Sequence, residues 1–111
     1  MNLPDEAVLY REAYRKWGIE AQMDMVIEEA AELTKEICKA HRKGLIHVQC
    51  EVTEELVDLE IMLEQLKVIL SDHLHSFDGM YMRMKEEKLN RLHDRLSPEE
   101  AKSDGEEEGA L

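Results

Sequence analysis

Two short stretches of this chain could do chemistry. One is Ile27-Glu28-Glu29-Ala30-Ala31-Glu32-Leu33, and the other is Glu54-Glu55-Leu56-Val57-Asp58-Leu59. At about 100° per residue, Glu29 and Glu32 sit about 60° apart on one helix face, and so do Glu55 and Asp58. With Glu55 as the zero of its wheel, Leu56, Leu59, Met62, Leu63, Leu66, Ile69 and Leu70 all fall within about 100° on either side. Glu55 therefore points near the middle of an apolar face, with Asp58 at its edge. An ionised carboxylate there costs several kcal/mol unless something compensates, and two converging acidic pairs also repel each other. A hard divalent cation with oxygen ligands removes both penalties. The positions three residues after Glu28, Glu29 and Glu55 hold Ala31, Glu32 and Asp58, so the Glu-x-x-His pattern of a di-iron bundle is missing. An oxygen-only cage suits Mg²⁺, with Mn²⁺ as a substitute, and open positions suit phosphate groups.

The elements that must position these acids read as helices. A first helix is expected from about Pro4-Asp5-Glu6 to Lys16, ended by Trp17-Gly18. A second runs from Ile19 or Glu20 to His41 or Arg42. Its apolar arc is Ile19, Met23, Val26, Ile27, Ala30, Leu33 and Ile37, and Gln22, Glu29, Glu32 and Glu36 form a polar stripe along one edge. Lys39, Arg42 and Lys43 near its C-terminus complement the helix dipole or meet a phosphate. Leu45 to Glu51 is a connector. Thr53 is the expected N-cap of a third helix ending near Leu70. A break over Ser71 to Gly79 holds His73 and His75, read as ordinary loop histidines. A fourth helix is expected from about Asp78 to Leu96, with Lys85, Lys88, Arg91 and Arg95 as a basic stripe. The third helix carries a second apolar stripe, Val57, Ile61 and Val68, which fits contact with another subunit.

Composition agrees with an all-α bundle of about four helices. The chain has 111 residues, 43% of them hydrophobic and only 5% aromatic, so a core must come from Leu, Ile, Val, Met and Ala. A net charge of -12 repels nucleic-acid polymers and anionic membranes. Cys38 and Cys50 have neither disulfide nor zinc spacing, and no apolar run is long enough to span a bilayer, so a cytoplasmic protein is expected. One domain over residues 1–96 is expected, followed by an acidic, disordered tail over 97–111.

Trp17-Gly18 with Gln22, Glu28-Glu29-x-x-Glu32, Glu55-x-x-Asp58 and a basic last helix ending Lys88-Leu89-x-Arg91-Leu92 together resemble the MazG-like all-α nucleoside triphosphate pyrophosphohydrolases. The signature of that family is EExxE, a spacer of about a dozen to thirty residues, and ExxD. The resemblance covers about Trp17 to Leu96. It implies a homo-oligomeric helical bundle, dimer or tetramer. It also implies Mg²⁺-dependent cleavage of a (deoxy)nucleoside triphosphate to the monophosphate and pyrophosphate, as in nucleotide-pool sanitation or housekeeping. Carried over residue by residue, it makes Glu29, Glu32, Glu55 and Asp58 the metal ligands and adds Glu28 to the catalytic set. Trp17, Gln22, Lys85, Lys88 and Arg91 become the substrate contacts. Many members carry a Lys and an Asn near the last basic cluster, whereas Met84 and Glu86 stand at those places here.

Two alternatives accompany this expectation. A phosphoribosyl-ATP pyrophosphohydrolase-like enzyme would carry a histidine after the second acidic motif, where Met62 and Leu63 stand. A non-catalytic acidic helical interaction module would use the acidic face and the Val57, Ile61 and Val68 stripe for a protein partner. The tail lacks the apolar periodicity needed to offset its ordering entropy. Truncation after Leu96 is therefore expected to leave the melting temperature nearly unchanged, which a thermal melt of both forms checks.

Overall fold

The computed structural model describes residues 5–97. They form four α-helices and a short 3₁₀ turn, with no strand among the described residues. The helices are α1 (Glu6–Trp17), α2 (Ile19–Lys43), α3 (Gln49–His73) and α4 (Phe77–Leu96), and the 3₁₀ turn is Leu45–Val48. The chain divides into two compact units, one ending at His73 and the other beginning at Leu74. The domain expected over 1–96 spans both. The expected tail, apart from Ser97, lies outside the described residues.

Local chemistry sets the boundaries. Asp5 caps α1, its side chain accepting from Ala7 N–H at 2.9 Å. Gly18 then closes α1 and opens α2 in a single residue. It takes φ 95°, its N–H donates to Tyr14 C=O at 2.9 Å, and its own C=O accepts from Gln22 N–H at 3.1 Å. Gly44 closes α2 in the same way, with φ 94° and a 2.8 Å bond to Ala40 C=O. An L-residue at either place would be strained.

α3 is longer at both ends than its sequence suggests. It grows directly out of the 3₁₀ turn at Gln49, so Thr53 lies inside the helix and is not its N-cap. Gln49 Nε2 donates to Ile46 C=O at 3.2 Å and ties the turn to the helix start. At the other end the helix continues past Leu70 to His73, whose Nδ1 lies 2.8 Å from Ile69 C=O. Only Leu74–Ser76 separates it from α4.

In the first unit, α2 and α3 form an antiparallel hairpin, and α1 lies against both. The interior is thin. Tyr14, Val48, Met62 and Ile69 are the buried apolar residues among those described. The seam follows only part of the apolar arc expected on α2, of which Ile19, Val26, Ala30 and Leu33 are half-buried. Its buried residues are Gln22 and Glu36, from the polar stripe, while Met23, Ile27 and Ile37 are exposed. On α3 the buried set is Met62, Gln65 and Ile69, and Leu56 and Leu63 are exposed. The reason lies in the spacing. Gln22, Glu29 and Glu36 repeat every seven residues, as do Asp58, Gln65 and Asp72, and a seven-residue repeat keeps one edge turned to a neighbouring helix over two turns each time. Gln65 Nε2 donates to Gln22 Oε1 at 3.0 Å inside that seam.

α1 is held to α3 by a polar clamp. Asp72 accepts from Arg11 Nε at 2.9 Å, from Arg11 Nη2 at 3.0 Å and from Tyr14 Oη at 2.6 Å. The Tyr14 ring also meets His73 edge-on, with centroids 5.6 Å apart. The hydrogen bonds from Arg11, then that from Tyr14, hold the Asp72 carboxyl down at about 2. A depressed carboxyl stabilises the fold above its unfolded value near 3.8, and that stabilisation is lost as pH falls toward 2. Asp72→Asn is expected to cost on the order of 1 kcal/mol at pH 7, a few degrees of melting temperature. Melts run from pH 7 to pH 2 should show the gap to the unaltered protein narrowing below about pH 4.

Candidate metal centre

Glu29 projects from the middle of α2 toward α3, where Glu55 and Asp58 occupy adjacent turns. One carboxylate oxygen from each lies within 4.8 Å of the others, and all three residues are half-buried. They sit two helical turns along the seam from the Gln22–Gln65 pair, so the hydrogen bond that aligns α2 with α3 also aligns the acids.

The electrostatics follow from that crowding. The Glu29 carboxyl is pushed above the ordinary glutamate range by burial first, then by the charges of Asp58, Glu28 and Glu32. Glu55, when protonated, donates to Glu29 and offsets part of the rise. The Glu55 carboxyl is raised as well, by burial and then by Asp58, Glu29 and Glu32. No arginine or lysine is among the causes of either shift. The fold therefore gathers negative charge here.

The donor set fits a hard cation. It offers three carboxylates, with no histidine and no thiolate among them.

The other residues singled out from the sequence are placed as follows. Glu32 is exposed and is not in the three-carboxylate cluster, although its charge reaches both Glu29 and Glu55. Glu28 is exposed on a different side of α2. Trp17 is 59% exposed at the end of α1, with Lys16 Nζ 5.3 Å from its ring centroid. Gln22 is buried, and its carbonyl oxygen is engaged by Gln65, so it is a seam residue. Lys85, Lys88 and Arg91 belong to α4, in the second unit. Cys38 and Cys50 are free thiols on the surface.

Sequence reasoning missed Gln65 in this seam and set Glu36 only in the polar stripe at the edge of the α2 arc. Gln65 is 3% exposed, and its Oε1 has no hydrogen-bond partner. Glu36 is 6% exposed, with Lys39 Nζ at 3.2 Å from its Oε1, close enough for an ion pair but not aligned as a hydrogen bond. The seven-residue repeat through Glu29 and Asp58 was the signal that could have found both.

No protein-family model matches the chain, and neither a curated protein nor a solved structure matches it.

A carboxyl raised by folding stabilises the protein fully below its unfolded value, and that contribution is lost as pH rises through the folded value. Without divalent cations, the contribution of Glu29 and Glu55 should therefore fade as pH rises from about their ordinary value of 4.5 toward neutrality. Glu55→Gln removes one of the repelling charges. Metal-free melts at pH 7 should find this variant as stable as the unaltered chain or more so. Millimolar Mg²⁺ or Mn²⁺ should raise the melting temperature of the unaltered chain and leave that of the variant nearly unmoved.

Proposed function

We propose that the chain is a Mg²⁺-dependent nucleoside triphosphate pyrophosphohydrolase, converting a (deoxy)nucleoside triphosphate to the monophosphate and pyrophosphate. The observation that carries this reading is the meeting of Glu29, Glu55 and Asp58 oxygens within 4.8 Å across two helices. The raised carboxyls of Glu29 and Glu55 support it, because positive charge would relieve the strain they share. The order of the acids along the chain supports it further. Glu28-Glu29-x-x-Glu32 and Glu55-x-x-Asp58 resemble the MazG-like signature, and the acids lie on consecutive helices.

Glu29, Glu55 and Asp58 would hold the cation, and Glu32 beside them is the candidate fourth ligand. Bound there, Mg²⁺ would neutralise phosphate charge and lower the proton affinity of a water. Partial burial makes the three carboxylates stronger attractors than they would be in bulk solvent, since less water screens them. Glu28 and Glu32 are open to solvent. A carboxylate in that position can orient an attacking water and accept its proton. Trp17 offers a large exposed ring for stacking on a base. Lys85, Lys88 and Arg91 take no part in this assignment.

Hydrolysis run in ¹⁸O-labelled water with Mg²⁺ tests the reaction. The label is expected in the nucleoside monophosphate, with unlabelled pyrophosphate as the other product. Label in orthophosphate, with diphosphate as its companion, would reject the assignment even with the metal centre intact. Glu55→Gln should lower pyrophosphate release by ~100-fold or more, the scale of losing one group that stabilises charge in the transition state. Near-normal turnover in that variant would remove Glu55 from the site.

A further inference from the structure

Among the described residues Glu36 is the buried acid, seven residues beyond Glu29 in the same seam. A carboxylate so placed keeps its cation close, because losing it would leave a buried charge alone. That cation is Lys39. Its Nζ lies 3.2 Å from Glu36 Oε1, and its side chain is only 27% exposed. The basic residues of the last turn of α2, His41, Arg42 and Lys43, are all exposed. They suffice to complement the C-terminal dipole. Lys39 lies before that turn and leans the other way, back along the helix toward the carboxylate centre.

The lean sets a positive charge at a definite distance from that centre. Lys39 follows Glu32 by seven residues, which leaves the two about 20° apart around α2. Drawn back to Glu36, the ammonium stands about 6 Å past Glu32 and about 10 Å past Glu29 along the axis. An oxygen lies about 2 Å from Mg²⁺ and about 2.8 Å from an ammonium, so about half of the longer distance is left for an anion to bridge. That gap is wider than one phosphate and within the reach of an extended di- or triphosphate.

We infer that Lys39 binds the phosphate farthest from the metal, and that Glu36 is the residue that positions it. An ammonium has three N–H donors, so Lys39 can keep Glu36 on one and give another to a phosphate oxygen. A chain of net charge -12 repels a polyphosphate over most of its surface, which makes a basic group fixed beside the acids decisive for holding one. The resemblance assigned this work to α4, whereas Lys39 belongs to the same unit as Glu29, Glu55 and Asp58. The inference rests on the metal centre of the proposed pyrophosphohydrolase.

Calorimetric titration of the full chain with inorganic tripolyphosphate, and separately with orthophosphate, in saturating Mg²⁺ tests it. Lys39→Gln should weaken tripolyphosphate binding by about tenfold or more and orthophosphate binding by less than about threefold, with Mg²⁺ affinity unmoved. Arg42→Gln removes the same charge nearly one turn farther along α2 and should change neither anion by more than about twofold. Lys39→Gln leaves the Glu36 carboxylate buried alone, so Glu36→Gln/Lys39→Gln is measured beside it and should show the same loss. Unchanged tripolyphosphate affinity in both Lys39 variants would overturn the inference and leave the pyrophosphohydrolase reading standing. So would equal losses for the two anions, or a loss in Arg42→Gln as large as that in Lys39→Gln. An unaltered protein that binds Mg²⁺ but no tripolyphosphate would overturn it as well. A protein that binds no Mg²⁺ would remove the metal centre and this inference together.

Discussion

The pairing of α2 with α3 along a polar edge is the constraint on which the rest of this protein depends. Ordinary helical hairpins are zipped by leucine and valine. Here Gln22, Glu29 and Glu36 of α2 face a helix that offers Asp58 and Gln65 among its seam residues, and among the described residues Val48, Met62 and Ile69 supply the buried aliphatic bulk. The amide–amide bond between Gln22 and Gln65 is neutral and tolerates burial. The Glu29 and Glu55 carboxyls two turns away tolerate it less well, and burial with neighbouring negative charge raises their proton affinity. Alignment at one level of the seam thus enforces crowding at the next.

The supporting parts limit how far that seam can slip. Gly18 and Gly44 each turn the chain with positive φ, so the connections on both sides of α2 are very short. The clamp of Arg11 and Tyr14 on Asp72 fixes α1 near the far end of α3. Polar contacts therefore act at two places, the Gln22–Gln65 pair and the Asp72 clamp, where a larger domain would use packed apolar layers. That economy follows from composition, since a chain with 36% charged residues has few aliphatic side chains to spend on an interior.

Much of this was legible in the sequence. The four helices, the two glycine joints and the convergence of Glu29 with Glu55 and Asp58 follow from period, caps and wheel position. The start of α3 was not legible, because a 3₁₀ turn that runs straight into a helix needs no capping side chain and leaves no signal at Thr53. The last turn of α3 carries a contact from Arg11, 61 residues away, which no local pattern contains. The buried side of α2 was misjudged for a plainer reason. Hydrophobicity ranks Met23 and Ile27 above Gln22 and Glu36, but the seam runs along the seven-residue polar repeat, and only Ile19, Val26, Ala30 and Leu33 of the apolar arc are half-buried beside it. Glu32 illustrates a limit of wheel arithmetic: about 60° from Glu29 is enough to take a side chain from a seam to open solvent.

The polar seam also bears on how such a chain can be improved or spoiled. Leucine or methionine in place of Gln22 and Gln65 together would remove a buried polar pair without orphaning either amide, and in place of Glu29 would remove a repelling charge, so the hairpin would gain stability. A screen that rewards heat resistance alone would collect those replacements first and dismantle the carboxylate centre in doing so. Stability and chemistry draw here on the same few positions in opposite directions. A thermostabilised form that keeps the centre has to take its substitutions from the exposed apolar residues, Ile27, Leu56 and Leu63 among them, and leave the seam as it is.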